Sequence, residues 1–244
     1  MPIPRIFLSC PLTTEHNVTL AENGFHHAIR VLRLKPGAPL ILFNGEGGEF
    51  HAILEHTDKH AAIARVGKYV DREAESFLNI ALAQSIAKGE RMDYSLQKAT
   101  ELGVNSILPL ITQRSVVRLS KDQLTKRLLH WRRVVISACE QCGRNRIPRI
   151  LSPMNYPDWL QMRPKDEMAL MLNPDAAKSL SQLSPPSGPI TLLIGPEGGL
   201  NPEEISAAKA AGFADIRMGP RILRTETAGV AALAALQTLW GDLN

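Results

Sequence analysis

The chain has 244 residues, enough for one large domain or two modest ones around a sizeable buried core. Apolar residues at 44% and charged residues at 21% exclude a disordered or fibrous protein. The net charge of +4 is uneven, with +8 between Arg114 and Arg149 and −4 elsewhere, a split that points to a polyanionic partner for the basic stretch.

The N-terminus has an apolar centre of only Ile6-Phe7-Leu8, too short for a secretory signal. Three cysteines cannot build a disulfide framework, so a reduced, cytoplasmic setting is expected. The first 70 residues read as β-rich. Pro39 to Asn44, Glu49 to Glu55 and Ala61 to Val70 are short apolar or alternating runs, with Gly45-Glu46-Gly47-Gly48 turning between the first two. Phe25, Ile29 and Leu32 recur at helical spacing, which predicts a helix over Glu22 to Leu34. Several short strands around one helix suggest a small barrel-like module. Six of the seven histidines lie in it, but the module offers only Cys10 as a thiolate and no His-x3-His pair on a clear helix face, so no metal is expected.

Asp71 to Ser76 is charged and lacks apolar anchors, which places a domain boundary there. Strands then alternate with helices. Asn79 to Ile86 reads as a strand, Arg91 to Leu102 as a helix and Ile107 to Ile111 as a strand. Asp122 to Cys142 reads as a long helix with an apolar stripe of Leu124, Leu128, Trp131, Val135 and Ala138. Strands follow at Glu167 to Leu172, Ile190 to Ile194 and Asp215 to Met218, with a helix over Pro202 to Ala211 and a last one from Thr225. Ser179 to Pro189 reads as a loop. The final apolar run, Ala228 to Trp240, has 13 residues, whereas a membrane span needs about 20. The alternation predicts an α/β domain with a mainly parallel sheet.

In such a sheet, ligands bind beyond the carboxyl ends of the strands. Three strand ends have unusual sequences: Leu170 to Pro174, Ile194 to Gly199 (IGPEGG), and Met218 to Arg224, which leads into Thr225-Glu226-Thr227. The second resembles a phosphate cradle, but Glu197, Glu203 and Glu204 would repel an anion there. Asn201 and Pro202 suit the start of the next helix. The glycines could serve only a tight turn. A second Gly-Pro loop at the next strand end favours binding of a ligand that is neutral or cationic at this point. Thr225 is the expected N-cap of the last helix. Beside it, Arg224 and Glu226 are candidates for orienting a substrate or moving a proton, or for a structural ion pair. Cys139 and Cys142 form a C-x-x-C at the wrong end of a helix for redox chemistry, so the spacing reads as fortuitous.

On several of these segments the chain resembles the RsmE family, bacterial ribosomal RNA methyltransferases of the SPOUT (trefoil-knot) superfamily that act on uridine N3. The residues that carry the resemblance are His27 to Arg33 (HAIRVLR), Arg91 to Val104 (RMDYSLQKATELGV), Arg114 to Val117, Glu140 to Arg144, Ile194 to Gly199 and Gly219 to Ala228 (GPRILRTETA). The resemblance implies a PUA-like β-barrel for RNA recognition over residues 1–70 and a knotted α/β methyltransferase domain over 71–244. It implies S-adenosylmethionine held by Leu172 and Asn173, by Ile194, Gly195, Pro196, Glu197, Gly198 and Gly199, and by Met218, Gly219, Ile222, Leu223 and Thr227. It also implies a homodimer through the Ala-rich last helix. The expected substrate is 16S ribosomal RNA in the small ribosomal subunit, with Arg224 and Glu226 as catalytic groups. Arg5, Arg30, Arg33, Arg114, Arg118, Arg132, Arg133 and Arg144 are the expected phosphate contacts. A methyltransferase of this fold acting on another RNA and a non-catalytic RNA-binding or ribosome-assembly module are the alternatives.

Overall fold

A computed structural model describes residues 3–20, 22–115 and 120–243. The chain forms two compact units, Met1–Glu75 with Ile136–Ile147, and Ser76–Val135 with Pro148–Asn244.

The first unit holds β1 (Arg5–Phe7), β2 (Asn17–Thr19), α1 (Glu22–Phe25), β3 (Pro39–Phe43), β4 (Glu49–Thr57) and β5 (Ala62–Val70) in a sheet of order β1-β3-β4-β5-β2. Strands alternate between faces. Leu40 and Leu42, Ala52 and Leu54, and Ala62, Ala64 and Val66 therefore share one face, and they bury it with Ile6, Leu8, Leu20 and Ala28. Gly48, in the turn before β4, has φ +64 and sits against the Tyr69 ring, where a side chain would have no room. The expected helix over Glu22 to Leu34 is found from Glu22 to Val31, with a change of winding inside it. After α1 the backbone widens into a π-helical turn over His26–Val31, in which the Leu32 N–H donates to His27 O, five residues back, at 3.0 Å. The extra residue per turn takes Leu32 out of the apolar stripe and leaves it exposed.

The second unit alternates strands and helices as expected. It holds β6 (Ile80–Ser85), α2 (Glu90–Glu101), β7 (Ser106–Ile111), α3 (Lys121–Cys142), β8 (Arg149–Ile150), β9 (Met154–Asn155), α4 (Tyr156–Met162), β10 (Met168–Leu172), β11 (Ile190–Ile194), α5 (Pro202–Ala210), β12 (Ala214–Ile216) and α6 (Thr225–Trp240). Ile136–Cys142, the end of α3, groups with the first unit. The sheet runs β12-β10-β11-β6-β7-β8, with β9 also on β7, and its pairs are parallel. A parallel sheet covered on both faces explains why β11 reads as an unbroken apolar run, buried at every position. Of the α3 stripe, Trp131, Val135 and Ala138 are buried and Leu124 and Leu128 half-buried, while Arg132 and Arg133 are exposed. The short α4 carries Pro157 in its first turn and sets the Tyr156 ring, tilted, against Trp159, which in turn meets Phe213. Buried Gln237 fastens α6 by donating to Leu102 O at 2.8 Å and accepting from Ser76 Oγ at 2.8 Å. Among the described residues no helix is long and apolar enough to cross a membrane.

Candidate functional site

The parallel register brings the carboxyl ends of β10, β11 and β12 to one edge, and a cavity of about 240 Å³ opens there against the start of α6. Leu172 and Asn173 line it from β10, and Ile194, Gly195, Pro196, Glu197 and Gly199 line it from the loop after β11. Met218, Gly219, Ile222 and Leu223 line it from the segment before α6. Gly198, Thr227, Arg224 and Glu226 are not among its lining residues, whereas Asp175, Arg217, Arg221, Thr225 and Ala228 are. Gly199 and Gly219 have φ of +68 and +74 and open space where a side chain would project, so bare backbone faces the cavity mouth.

Thr225 is not the N-cap. Arg224 occupies that position, and Thr225 is the first helical residue, 4% exposed. Its hydroxyl donates to Gly195 O at 2.6 Å and accepts from Gln84 Nε2 at 3.0 Å, so one buried group ties β6, the loop after β11 and α6 together. Thr225→Val keeps the shape but removes one hydrogen bond from buried Gln84, which keeps its bond to Ser85 O, and one from Gly195 O, at a cost of about 1–3 kcal/mol. The expected result is a lower thermal midpoint together with weaker binding in the cavity, measured by thermal unfolding and ligand titration.

The loop after β11 is pinned from outside the cavity. Asn201 and Glu204 form the capping box of α5, and the Glu204 carboxylate also accepts from Gln113 N–H at 2.8 Å. Arg114 donates through Nη1 to Gly198 O at 3.0 Å. Of the three carboxylates expected to bar an anion, only Glu197 lines the cavity, since Glu204 is consumed by its cap and Glu203 lies elsewhere. Burial opposes ionisation of Glu197. The Lys88 N–H at 3.0 Å, its own N–H and the Arg91 guanidinium at 3.3 Å outweigh that and hold its carboxyl below the usual value. Arg91 also reaches Glu226, Nε to Oε1 at 3.8 Å. Arg91 went unrecognised as a site residue in the sequence because the helical spacing of Met92, Leu96 and Ala99 explains its segment without it. After β10, the cavity-lining Asn173 donates to Asp215, whose carboxyl the Lys209 ammonium holds below its ordinary value.

The expected phosphate contacts divide. Arg30, Arg33, Arg114, Arg132 and Arg133 are exposed. Arg118 lies outside the described residues. Arg144 is 3% exposed and paired with Glu75 at 2.5 Å, and Arg5 is paired with Glu49 at 2.5 Å. Both guanidiniums are committed inside the first unit and are not presented to a polyanion. Burial pushes the Cys139 thiol up to about 12, which keeps it protonated and out of redox chemistry. Among the described residues no three His, Cys, Asp or Glu side chains group as a metal site would.

The pattern of the RNA methyltransferase domain matches residues 74–237, and that of the RNA methyltransferase PUA domain matches 20–67. The chain is 37% identical over 242 residues to the ribosomal RNA small subunit methyltransferase E of Buchnera aphidicola subsp. Schizaphis graminum, covering 99% of this chain and 98% of that protein. It is 28% identical to the enzyme of that name from Bacillus subtilis, over 86% of each. Among solved structures, the ribosomal RNA small subunit methyltransferase E of Neisseria gonorrhoeae bound to S-adenosyl methionine superposes with a TM-score of 0.93 at 42% identity, over 100% of both chains. A methyltransferase from Legionella pneumophila in complex with the same cofactor gives 0.96 at 38%, again over 100% of both. The fold class expected from the sequence, an α/β methyltransferase domain behind a PUA domain, is the one found. With that identity running along nearly its whole length, the chain belongs to the ribosomal RNA small subunit methyltransferase E family.

Proposed function

We propose that this protein methylates N3 of a uridine in 16S ribosomal RNA of the small ribosomal subunit, with S-adenosylmethionine as donor. The observation that carries the reading is the cavity at the ends of β10, β11 and β12, which combines apolar walls, bare backbone and a carboxylate rim. Leu172, Ile194, Ile216 and Leu223 suit an adenosyl group, and the exposed backbone around Gly195 and Gly219 supplies donors and acceptors. Glu197 and Glu226 each keep a buried Oε2 without a partner among the described residues, which suits a ligand that brings positive charge or N–H groups. When bound, S-adenosylmethionine supplies a methyl group activated by its sulfonium charge.

The chain's own residues do the rest. Uracil N3–H is a weak acid, and Glu226 accepts its proton as N3 becomes the nucleophile. Arg224, exposed at the head of α6, donates to O2 or O4 where negative charge develops. The buried Thr225 between them holds both at a fixed distance from the cavity wall. Residues 1–70 serve as the RNA-recognition domain and 71–244 as the methyltransferase domain. Arg30, Arg33, Arg114, Arg132 and Arg133 contact phosphates. The protein works in the cytoplasm as a homodimer through the Ala-rich α6.

Calorimetric titration with S-adenosylmethionine should show one site per chain, and no heat of binding would contradict the reading. RNA affinity should fall steeply with salt. Each phosphate contact to single-stranded RNA contributes about 0.7 to the log–log slope, so Arg132→Ala with Arg133→Ala should flatten it by about 1.4. An unaltered slope would make these two arginines a solvated helix face.

A further inference from the structure

Arg91 stands in the first turn of α2, outside the cavity lining, and touches two carboxylates from two different segments. Its Nη1 lies 3.3 Å from Glu197 Oε1 on the loop after β11, and its Nε lies 3.8 Å from Glu226 Oε1 in the first turn of α6. Gly89, with φ +62, turns the chain into α2, and the preceding Lys88 N–H meets the same Glu197 oxygen that Arg91 does. The loop after β6 and the start of α2 thus clamp one carboxylate with two donors, and the same guanidinium lies within ion-pair distance of the second.

As a device for stability this arrangement is poor. The Arg91 side chain is 45% exposed, and ion pairs in that setting contribute little to folding. The Oε2 atoms of Glu197 and Glu226 are buried without a partner among the described residues, which costs stability. Glu197 is hydrogen-bonded on one oxygen, Glu226 has only the longer ion-pair contact of Arg91 on one of its own, and the second oxygen of each is open, an arrangement suited to something that arrives later.

We propose that Arg91 is a positioning residue for methyl transfer: it fixes the Glu226 carboxylate relative to the Glu197 loop and leaves the free oxygen of each for the reactants. This rests on the reading of Glu226 as proton acceptor. Arg91 touches neither uracil nor donor, and its effect passes through Glu226. Its loss therefore lowers kcat, with little change in folding or in RNA binding.

The test compares wild type, Arg91→Gln, Arg91→Lys, Glu226→Gln and the double variant Arg91→Gln/Glu226→Gln, assayed with labelled S-adenosylmethionine and small ribosomal subunits. Misplacement of a reacting group costs on the order of tenfold to a hundredfold in rate, so Arg91→Gln should lose about that much kcat while its KM for RNA and its melting temperature stay close to wild type. Arg91→Lys keeps one charge contact and should recover part of the rate. The double variant should be no slower than Glu226→Gln alone, because both changes disable the same group. Wild-type kcat in Arg91→Gln, an additive loss in the double variant, or an effect confined to KM for RNA overturns the proposal. Absence of methyl transfer by wild type, or a Glu226→Gln variant at full rate, instead overturns the function on which it rests.

Discussion

Glu226→Gln is expected to lower the single-turnover rate of methyl transfer by about a hundredfold or more, the usual loss when a positioned general base is removed. The substitution is nearly isosteric and keeps an acceptor oxygen, so α6 and the cavity should persist. Glu226 lies in the first turn of that helix, where the dipole favours a negative side chain, and the fold should lose little from its neutralisation. Affinity for S-adenosylmethionine should change far less than the rate. Arg224→Ala should share this pattern, through loss of the donor proposed for the developing uracil oxyanion. Rapid-quench measurement at saturating donor checks both, and an unchanged rate would remove the residue concerned from the mechanism.

Glu49→Ala should be the most damaging change to the first unit, at about 3–5 kcal/mol, because it leaves a charge buried without its partner. Glu49 is 3% exposed and holds Arg5 at 2.5 Å and Arg72 at 3.3 Å, while Arg5 also donates to Asn145. Burial raises the cost of ionising Glu49, but the hydrogen bond and charge of Arg5, with those of Arg72, hold its carboxyl below the ordinary value. A folded-state value below the unfolded one means that the stabilisation is complete above the unfolded value and is lost as pH falls through the folded one. Acid should therefore loosen the first unit of the wild type, and Glu49→Ala should show a smaller loss between neutral and acidic pH. Thermal unfolding across that range measures both effects. Equal acid sensitivity in the two proteins would assign the dependence to other carboxylates.

What the sequence revealed follows from how local each signal is. β11 reads correctly to the residue because both of its faces are buried and its apolar run ends at a Gly-Pro turn. The α3 stripe reads correctly because 22 residues give several turns of one period. By contrast β1 and β2 have three residues each, too few for any period, and exist through pairing with β3 and β5. The π-helical turn at His26–Val31 breaks a pattern that still looks helical in the letters.

The site shows the same division. The cavity wall was legible from strand-end loops, whereas Thr225 looked like a cap and is a buried tie whose partner Gln84 lies 141 positions away. Arg144 counted as one more charge in a basic block, yet Glu75, 69 positions earlier, takes it into the interior. Arg91 stands out only when the fold brings Glu197 and Glu226, 106 and 135 positions later, within ion-pair distance of it.

The most direct test incubates the wild-type protein with labelled S-adenosylmethionine and unmethylated small ribosomal subunits or naked 16S RNA, then maps the label by nuclease digestion and mass spectrometry. The predicted result is one uridine carrying the methyl group at N3. No label in ribosomal RNA, or label on a ribose hydroxyl or another base, would contradict the account.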